Sequence, residues 1–194
     1  MIEDCTALIL AGGESKRMGQ DKTMLVLDGQ TLLQHVVARM QALFPQVLVS
    51  VREHRSDVRE AQVPDERPGT GPLAGLCAGM ARARTPWVFA VGADMPFLGA
   101  DLISMLAARR DCHQAVVPII NGYPQPLTAF FACSALPVVE AVLAGPGKRS
   151  LRELLDRLDV CRVDEAICAA VDPGLQSFID LDTPADLAAL KSRR

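Results

Sequence analysis

The chain has 194 residues, 49% of them hydrophobic, and a formal net charge of -3. This length suits one sizeable core, which would bury roughly 70% of the surface of the unfolded chain. The small charge and the 4% aromatic content argue against a basic nucleic-acid-binding face with stacking platforms. We therefore predict a single domain over residues 1–194 that binds no nucleic acid.

The six cysteines form no Cys-x-x-Cys pair and lie mostly in apolar runs, which predicts buried thiols in a reducing cytosol rather than disulfides or a zinc site. Glu3 and Asp4 precede the first apolar run and argue against a secretory signal. The longest uncharged span, residues 114–139, contains several prolines and Asn121-Gly122, which indicate two strands around a turn rather than a membrane span. We expect a cytoplasmic protein with no membrane contact.

Residues 7–11 predict a buried strand, and the first loop, residues 10–22, follows from its end with the sequence LAGGESKRMGQDK. Its glycines allow backbone N–H groups to approach an anion closely, and Lys16, Arg17 and Lys22 add positive charge. The loop lacks the Lys-Ser/Thr ending of a Walker loop and contains no Gly-x-Gly-x-x-Gly. Its composition therefore predicts a phosphate-binding loop of another kind.

Strands and helices alternate along the rest of the chain. The predicted strands lie at residues 7–11, 47–51, around Val63, and at 87–93, 115–119, 127–133, 160–163 and 178–179. The predicted helices are one capped by Thr31 that ends before Pro45, a solvated one at 52–60, others at 72–84, 101–110 and 134–143, one capped by Ser150 with Glu153, and one after Pro184. This alternation predicts a three-layer α/β/α, Rossmann-like fold around a mostly parallel central sheet.

The second loop, residues 66–72, reads ERPGTGP, and Pro72 suits the first turn of the helix that follows. Gly75 and Gly79 lie one turn apart in that helix. Each weakens the helix by roughly 1 kcal/mol relative to alanine, so we expect another element to approach closely there.

The third loop, residues 145–150, reads GPGKRS. Lys148 and Arg149 can hold a phosphate there. A capped helix start with basic neighbours explains the same residues equally well.

Two aspartates directly follow predicted strands. Ligands of parallel sheets bind outside the carboxyl ends of the strands, so we expect the first loop, Asp94 and Asp180 to share one edge. Mg²⁺ takes one or two carboxylates, with phosphates and water completing its shell, and we predict Asp94 as its ligand rather than as a cap for the segment after Pro96. Asp180 is a weaker second candidate, because Asp182 and Thr183 can simply cap the last helix.

Surface roles are the alternative for the charges of the first loop. Lys22 can be a solvated lysine, and Arg17 can pair with Glu14 or Asp21, an interaction worth about 0 to 1 kcal/mol. The concentration of these charges among glycines favours phosphate binding. Lys16 has no assigned role.

Three motifs resemble those of a known family. Residues 10–22 match LAGGxxxRMGxDK, a pattern similar to the signature of nucleoside-triphosphate-dependent nucleotidyltransferases. With Gly71-Pro-Leu-Ala-Gly75 and Asp94-x-Pro96, in the same order over nearly the whole chain, the sequence resembles the molybdenum cofactor guanylyltransferases, the MobA family. The resemblance implies a glycosyltransferase-A-like nucleotidyltransferase fold and Mg²⁺ as cofactor. It implies transfer of GMP from GTP to the terminal phosphate of molybdopterin, with release of pyrophosphate.

The resemblance also implies roles for individual residues. Arg17, Lys22 and Asp94 are the expected catalytic residues, with Asp94 binding Mg²⁺. The expected nucleotide and substrate positions are Leu10, Ala11, Gly12, Gly13, Lys22, Ser50, Asp65, Gly71, Gly75, Asp94, Asp180 and Asp182.

Two positions bear on the substrates. The related cytidylyltransferase carries Ala-Ala-Gly where this chain has Ala11-Gly12-Gly13 and lacks Gly-Pro-Leu-Ala-Gly, which favours guanine here. The family often has asparagines in place of Asp180 and Asp182, in a segment associated with the pterin. Two carboxylates there should repel a substrate phosphate unless a metal or a basic side chain intervenes.

As partners, the resemblance implies GTP, molybdopterin and transient contacts with molybdenum insertion proteins and molybdoenzyme acceptors. We expect a monomer. The alternatives are another nucleotidyltransferase that makes a cytidylyl or sugar-nucleotide product, and a non-catalytic GTP-binding partner in cofactor delivery. The missing dinucleotide-binding fingerprint disfavours an oxidoreductase.

Overall fold

The computed structural model describes residues 1–12, 22–64 and 71–179, and only the backbone of Lys22. The strands are β1 (Cys5–Leu10), β2 (Val26–Leu27), β3 (Gln30–Thr31), β4 (Gln46–Val51), β5 (Ala61–Pro64), β6 (Trp87–Gly92), β7 (Ala115–Ile120), β8 (Tyr123–Pro124), β9 (Thr128–Ala132) and β10 (Val160–Asp164). The α-helices are α1 (Leu32–Leu43), α2 (Pro72–Arg82), α3 (Ala100–Ala107), α4 (Leu136–Ala144), α5 (Leu151–Leu155) and α6 (Glu165–Val171). Short 3-10 turns span Lys22–Met24, Cys133–Ala135 and Gln176–Phe178.

The central sheet has the strand order β10-β7-β9-β6-β1-β4-β5, with β8 paired to β7. Strand β1 is parallel to both β4 and β6, β4 is parallel to β5, and β10 is parallel to β7. Strand β9 is antiparallel to both of its neighbours. The predicted α/β fold with a mostly parallel sheet is therefore confirmed.

Helices cover both faces of the sheet, which explains why its strands are continuous apolar runs rather than alternating ones. On one face α1, α3 and α6 share a core cluster with Ala7 and Ile9 of β1, and on the other α2, α4 and α5 share a core cluster with Leu8. All three side chains are fully buried. Phe89 and Phe130 lie in the first of these two core layers with ring centroids 4.7 Å apart.

Local capping and turn chemistry formed as predicted at two places. The Oγ1 atom of Thr31 accepts from the Gln34 N–H at 3.2 Å, and the Gln34 side chain accepts from the Thr31 N–H at 2.9 Å, so a capping box begins α1. Asn121 and Gly122 have φ of 50° and 77° and join β7 to β8. Within the described residues, no helix is long and apolar enough to cross a membrane.

The cysteine prediction is confirmed in part. None of the six cysteines, all of which the structure describes, forms a disulfide. Cys5 and Cys168 are buried, but Cys112 is exposed.

The predicted helix at residues 52–60 is wrong. This segment is an irregular connection between β4 and β5, and the side chain of Gln62 on β5 pairs with its backbone. The Gln62 Oε1 atom accepts from the Arg55 N–H at 2.8 Å, and Nε2 donates to the carbonyls of Arg55 at 2.7 Å and Val58 at 3.0 Å. These backbone groups therefore bond to a side chain from a strand instead of to a helical ladder.

The predicted strand at residues 178–179 is also wrong, because the chain there leaves a 3-10 turn. Ser177 in that turn is buried; its N–H donates to Asp172 at 2.9 Å, and its Oγ accepts from the Gly99 N–H at 2.8 Å. Helix α6, which precedes this segment, was not predicted. The predicted last helix after Pro184 lies outside the described residues.

Candidate functional site

The carboxyl ends of β1, β4 and β6 lie side by side and form what we call the carboxyl edge. Leu10 is in register with Ser50 on one side and with Gly92 on the other. Beyond the strands, the Ala11 N–H donates to the Ser50 carbonyl at 3.0 Å, and the Ala93 N–H donates to the Leu10 carbonyl at 3.3 Å. The start of the first loop therefore lies between the end of β4 and the segment that carries Asp94.

The glycines of α2 allow this helix to lie directly on the sheet. A Cβ atom on Gly75 would lie 2.6 Å from Ser50 Oγ and 2.7 Å from Leu10 Cδ2, and one on Gly79 would overlap the side chain of Leu8. The close approach expected from these glycines is therefore confirmed. The first turn of α2 packs on the ends of β1 and β4.

The N-terminus of α2 is built from Gly71 and Pro72. Gly71 is the N-cap, with φ 60° and ψ -151°, a backbone conformation that residues other than glycine rarely adopt. Pro72 occupies the first turn. The positive end of a helix dipole and its first N–H groups favour anions. Because Gly75 contacts Ser50 and Leu10, this helix start lies beside the first loop.

Asp94 is half-buried in the turn after β6. An added Cβ on Gly92 would lie 2.7 Å from Asp94 Oδ1, so the carboxylate occupies space that only glycine leaves open. Helix α3 takes Gly99 as its N-cap and has no side-chain cap. The alternative of Asp94 as a cap for the following helix is therefore wrong.

The donor set at Asp94 fits Mg²⁺ bound together with a substrate. In the part of the chain that the structure describes, no group of three or more His, Cys, Asp or Glu residues gathers in a way that could hold a metal by itself. Mg²⁺ prefers carboxylate oxygen and commonly takes one or two protein carboxylates, with substrate phosphates and water completing the octahedron. A single carboxylate beside the start of the first loop, which the sequence predicts to bind phosphate, matches that pattern.

The segment between β6 and α3 has contacts with α1, with β9 and with the end of the described chain. Arg39 of α1 donates from Nη1 to the Leu98 carbonyl at 2.7 Å, and Thr128 of β9 contacts the Met95 sulfur at 3.6 Å. Ile179 packs in a small apolar cluster with Phe97. The chain therefore reaches position 179 beside the segment that carries Asp94.

The sequence analysis missed two basic residues near the first loop. Arg52 follows β4, and its Cγ lies 3.7 Å from where a Cβ on Gly12 would be. Arg55 donates from Nη1 to Thr23 Oγ1 at 2.7 Å, in the turn that begins at Lys22. Both arginines lie in the segment misread as a solvated helix. The sequence carried no signal for either contact beyond the charge of that segment.

The third loop uses its polar groups internally. Arg149 donates from Nε to the Gly145 carbonyl at 3.1 Å, and its N–H donates to Glu153 Oε2 at 3.1 Å. Ser150 Oγ accepts from the Glu153 N–H at 3.2 Å. The predicted capping box is thus half-formed, since the Glu153 carboxylate bonds to the N–H of Arg149 rather than to that of Ser150. Lys148 is exposed.

The structure brings Leu10, Ala11, Gly12, Ser50, Gly71, Gly75 and Asp94 to the carboxyl edge or beside it. The predicted site residues outside the described residues are Gly13, Arg17, Asp65, Asp180 and Asp182, together with the side chain of Lys22.

Nucleotide-binding proteins commonly have a three-layer α/β fold in which a helix N-terminus and a carboxylate lie at the carboxyl edge of the sheet, as they do here. Residues 7–162 match the MobA-like NTP transferase domain. The chain belongs to this family of nucleotidyltransferases.

Relatives of similar length support the assignment. The chain is 35% identical to a probable molybdenum cofactor guanylyltransferase of Deinococcus radiodurans, over 97% of this chain and 94% of that protein. It is 32% identical to the molybdenum cofactor guanylyltransferase of Vibrio cholerae, over 95% of this chain and 90% of that protein. The resemblance drawn from the three motifs is therefore confirmed.

Solved structures share the fold. Molybdopterin-guanine dinucleotide biosynthesis protein A of Archaeoglobus fulgidus superposes with a TM-score of 0.83 at 26% identity, covering 97% of this chain and all of that one. A 2-C-methyl-D-erythritol 4-phosphate cytidylyltransferase of Thermus thermophilus superposes with a TM-score of 0.66 at 19% identity, covering 97% of each chain, and supports the fold alone.

Proposed function

We propose that this nucleotidyltransferase transfers GMP from GTP to the terminal phosphate of molybdopterin, releasing pyrophosphate and forming molybdopterin guanine dinucleotide. The observation that carries the proposal is the convergence of residues 10–12, the start of α2 and Asp94 on one edge of the sheet. Full-length relatives named as molybdenum cofactor guanylyltransferases support the choice of substrates.

The nucleotide lies across the carboxyl edge in this proposal. Backbone N–H groups of the first loop and the start of α2 surround the phosphates, and Arg17 and Lys22 supply positive charge. The proposed nucleotide positions are Leu10, Ala11, Gly12, Gly13, Lys22, Ser50, Asp65, Gly71 and Gly75. Ser50 is buried at the end of β4, because Gly75 lets the first turn of α2 lie against its hydroxyl, and in this proposal it forms part of the wall of the nucleotide site.

The reaction needs positioning and charge neutralisation more than proton transfer. A phosphate oxygen of molybdopterin forms a bond to the α-phosphorus of GTP, and the bond from that phosphorus to the bridging oxygen of pyrophosphate breaks. The attacking phosphate is largely ionised at pH 7, since a phosphate monoester has a second pKa of about 6. The residues therefore act by in-line positioning and by stabilising the charge that develops.

The described histidines agree with a reaction that uses no general base. The Nε2 atom of His35 donates to the Leu27 carbonyl at 2.7 Å, which ties α1 to the β2–β3 hairpin. His113 lies 3.2 Å from Asp159, and His54 is exposed. His35 and His113 lie away from the carboxyl edge, and His54, three residues after β4, has no role as a base in this proposal.

Asp94 is the proposed ligand of Mg²⁺. When bound, the ion would neutralise phosphate charge and help to orient the triphosphate. The Gly92 position holds the carboxylate of Asp94 above the end of β6, and Arg39 holds the segment that follows.

The remaining assignments rest on the family resemblance. Gly12 and Gly13, with the Gly71-to-Gly75 motif, favour guanine over cytosine. Asp180 and Asp182 are proposed to lie on the pterin side. We propose a cytoplasmic, monomeric, single-domain enzyme that contacts molybdenum insertion proteins and molybdoenzyme acceptors transiently.

Pyrophosphate release with molybdopterin and each of GTP, CTP, ATP and UTP tests the proposal. We expect release with GTP and little with the other nucleotides. A preference for CTP would overturn the guanylyl assignment. Binding of GTP without turnover at saturating molybdopterin would instead indicate a non-catalytic partner in cofactor delivery.

A further inference from the structure

The charged segment at residues 52–60 has no part in the proposed reaction. The side chain of Arg55 in this segment nevertheless contacts the turn Lys22–Met24. We propose that Arg55 is a positioning residue, whose guanidinium fixes this turn and thereby sets the backbone position of Lys22 for the nucleotide phosphates. The inference rests on the proposed function for the role of Lys22. It assigns Arg55 no contact with the substrate.

In the part of the chain that the structure describes, two contacts join Arg55 to the turn. Nη1 donates to Thr23 Oγ1 at 2.7 Å, and Nη2 donates to Met24 Sδ at 2.9 Å. Thr23 is only 7% exposed and directly follows Lys22. A 3-10 turn of three residues has little hydrogen bonding of its own, so its position depends on such outside contacts.

The guanidinium is itself held in place from the other side. Nε donates to Asp57 Oδ1 at 3.2 Å and Nη2 donates to Oδ2 at 2.8 Å, which is a bidentate pair. Hydrogen bonding to Arg55 lowers the pKa of Asp57, so its carboxylate stays ionised to a lower pH than that of an isolated aspartate. Because the guanidinium is planar, the two bonds to Asp57 also direct Nη1 towards Thr23.

The backbone of Arg55 is attached to the sheet. Gln62 of β5 accepts from the Arg55 N–H at 2.8 Å and donates to the Arg55 carbonyl at 2.7 Å. A continuous series of contacts therefore runs from β5 through Arg55 to Thr23, the neighbour of Lys22. On the other side of the turn, the Leu32 N–H donates to the Leu25 carbonyl at 2.9 Å, which fixes the hairpin to α1.

The magnitude of the expected effect follows from the sensitivity of phosphoryl transfer to alignment. A misplacement of about 1 Å in a catalytic group can lower the rate by about 10²-fold. Because other contacts also hold the turn, removing those of Arg55 should cause a smaller loss of rate than this. We therefore expect Arg55→Gln to lower kcat/KM for GTP by roughly tenfold.

A double-mutant cycle with Lys22→Ala separates positioning from general destabilisation. If Arg55 acts through Lys22, Arg55→Gln should cost roughly tenfold in the unsubstituted protein but less than about twofold in the Lys22→Ala background. Arg59→Gln, an exposed arginine of the same segment, is the matched control and should leave kcat/KM unchanged. Arg55→Lys should recover only part of the loss, because lysine cannot form the bidentate pair.

Equal losses in the two backgrounds, or an unchanged rate for Arg55→Gln, would overturn the inference. If Arg55→Gln does not fold, Thr23→Val removes only the acceptor hydroxyl and should show the same coupling to Lys22.

Hydrogen exchange gives a readout that needs no substrate. Arg55→Gln should speed amide exchange in peptides that cover residues 23–27 and leave peptides of β1 unchanged. Unchanged exchange at 23–27 would also overturn the inference. A protein without GTP turnover would defeat the proposed function, and the exchange result would then decide on Arg55 alone.

Discussion

The first and third loops have similar glycine-rich, basic sequences, but the fold supports them in opposite ways. The described residues at the two ends of the first loop have contacts from far away in the chain. Ala11 bonds to Ser50, and the turn that begins at Lys22 bonds to Arg55, which is 32 residues from Thr23. In the third loop, Arg149 bonds to Gly145 and Glu153, each four residues away. The third loop therefore uses its polar groups to start a helix, whereas the described ends of the first loop, residues 10–12 and the backbone of Lys22, lie against other elements of the fold.

Replacing the lysine of each loop tests this contrast, and it is the test with the largest expected effect. Lys22→Ala should lower turnover with GTP and molybdopterin by about 10²-fold, the usual result of losing one group that stabilises developing charge. Lys148→Ala, the counterpart in the third loop, should change kcat/KM for GTP by less than about twofold, as an exposed lysine outside the site would. Steady-state pyrophosphate release measures both. Similar losses for the two variants would abolish the contrast.

Asp94→Asn tests the carboxylate that follows the end of β6. The substitution keeps the size of the side chain but removes its negative charge, so the Mg²⁺ concentration at half-maximal rate should rise by at least about tenfold. Asp111→Asn, at an exposed position after α3, is the control. A normal Mg²⁺ titration for Asp94→Asn would remove this residue from the metal site.

Gly75→Ala tests the packing of α2 on the ends of β1 and β4. The added methyl group would overlap Ser50 Oγ and Leu10 Cδ2, and overpacking of this kind costs about 1–3 kcal/mol of unfolding free energy. Each kcal/mol should lower Tm by about 2–4 °C in a chain of this size. Ala81→Ser, at an exposed position of the same helix, should cost less than about 0.5 kcal/mol. Equal stabilities for the two variants would contradict the close packing.

Arg149→Gln should have the smallest effect. It removes the exposed hydrogen bond from Nε to the Gly145 carbonyl, a loss worth less than about 1 kcal/mol in denaturant unfolding. The kcat/KM for GTP should not change. A marked rise in KM for molybdopterin would show instead that the third loop binds the second substrate.

Much of the fold was predictable because its signals are local. Buried parallel strands are short apolar runs, and β1, β4 and β6 lie where such runs predicted them. Thr31 was recognisable as a cap because its partner is only three residues away. The glycine motifs were recognisable because they keep a fixed spacing, and they were enough to identify the family.

The errors fall where distant contacts override a local pattern. The segment at 52–60 has the composition of a solvated helix, but Gln62 bonds to its backbone and Arg55 turns towards Thr23. The segment at 178–179 is apolar, but the buried Ser177 fixes the chain as a turn beside Gly99.

The sequence by itself determined the layered α/β architecture and the family, and it supplied the residues proposed for the nucleotide site, because hydrophobic period and backbone freedom are properties of neighbouring residues. Only the tertiary structure decided that Gly75 packs on Ser50 and that Arg39 and Arg55 hold the segments around Asp94 and Lys22. Such contacts join residues separated by tens of positions, so they depend on the path of the whole chain.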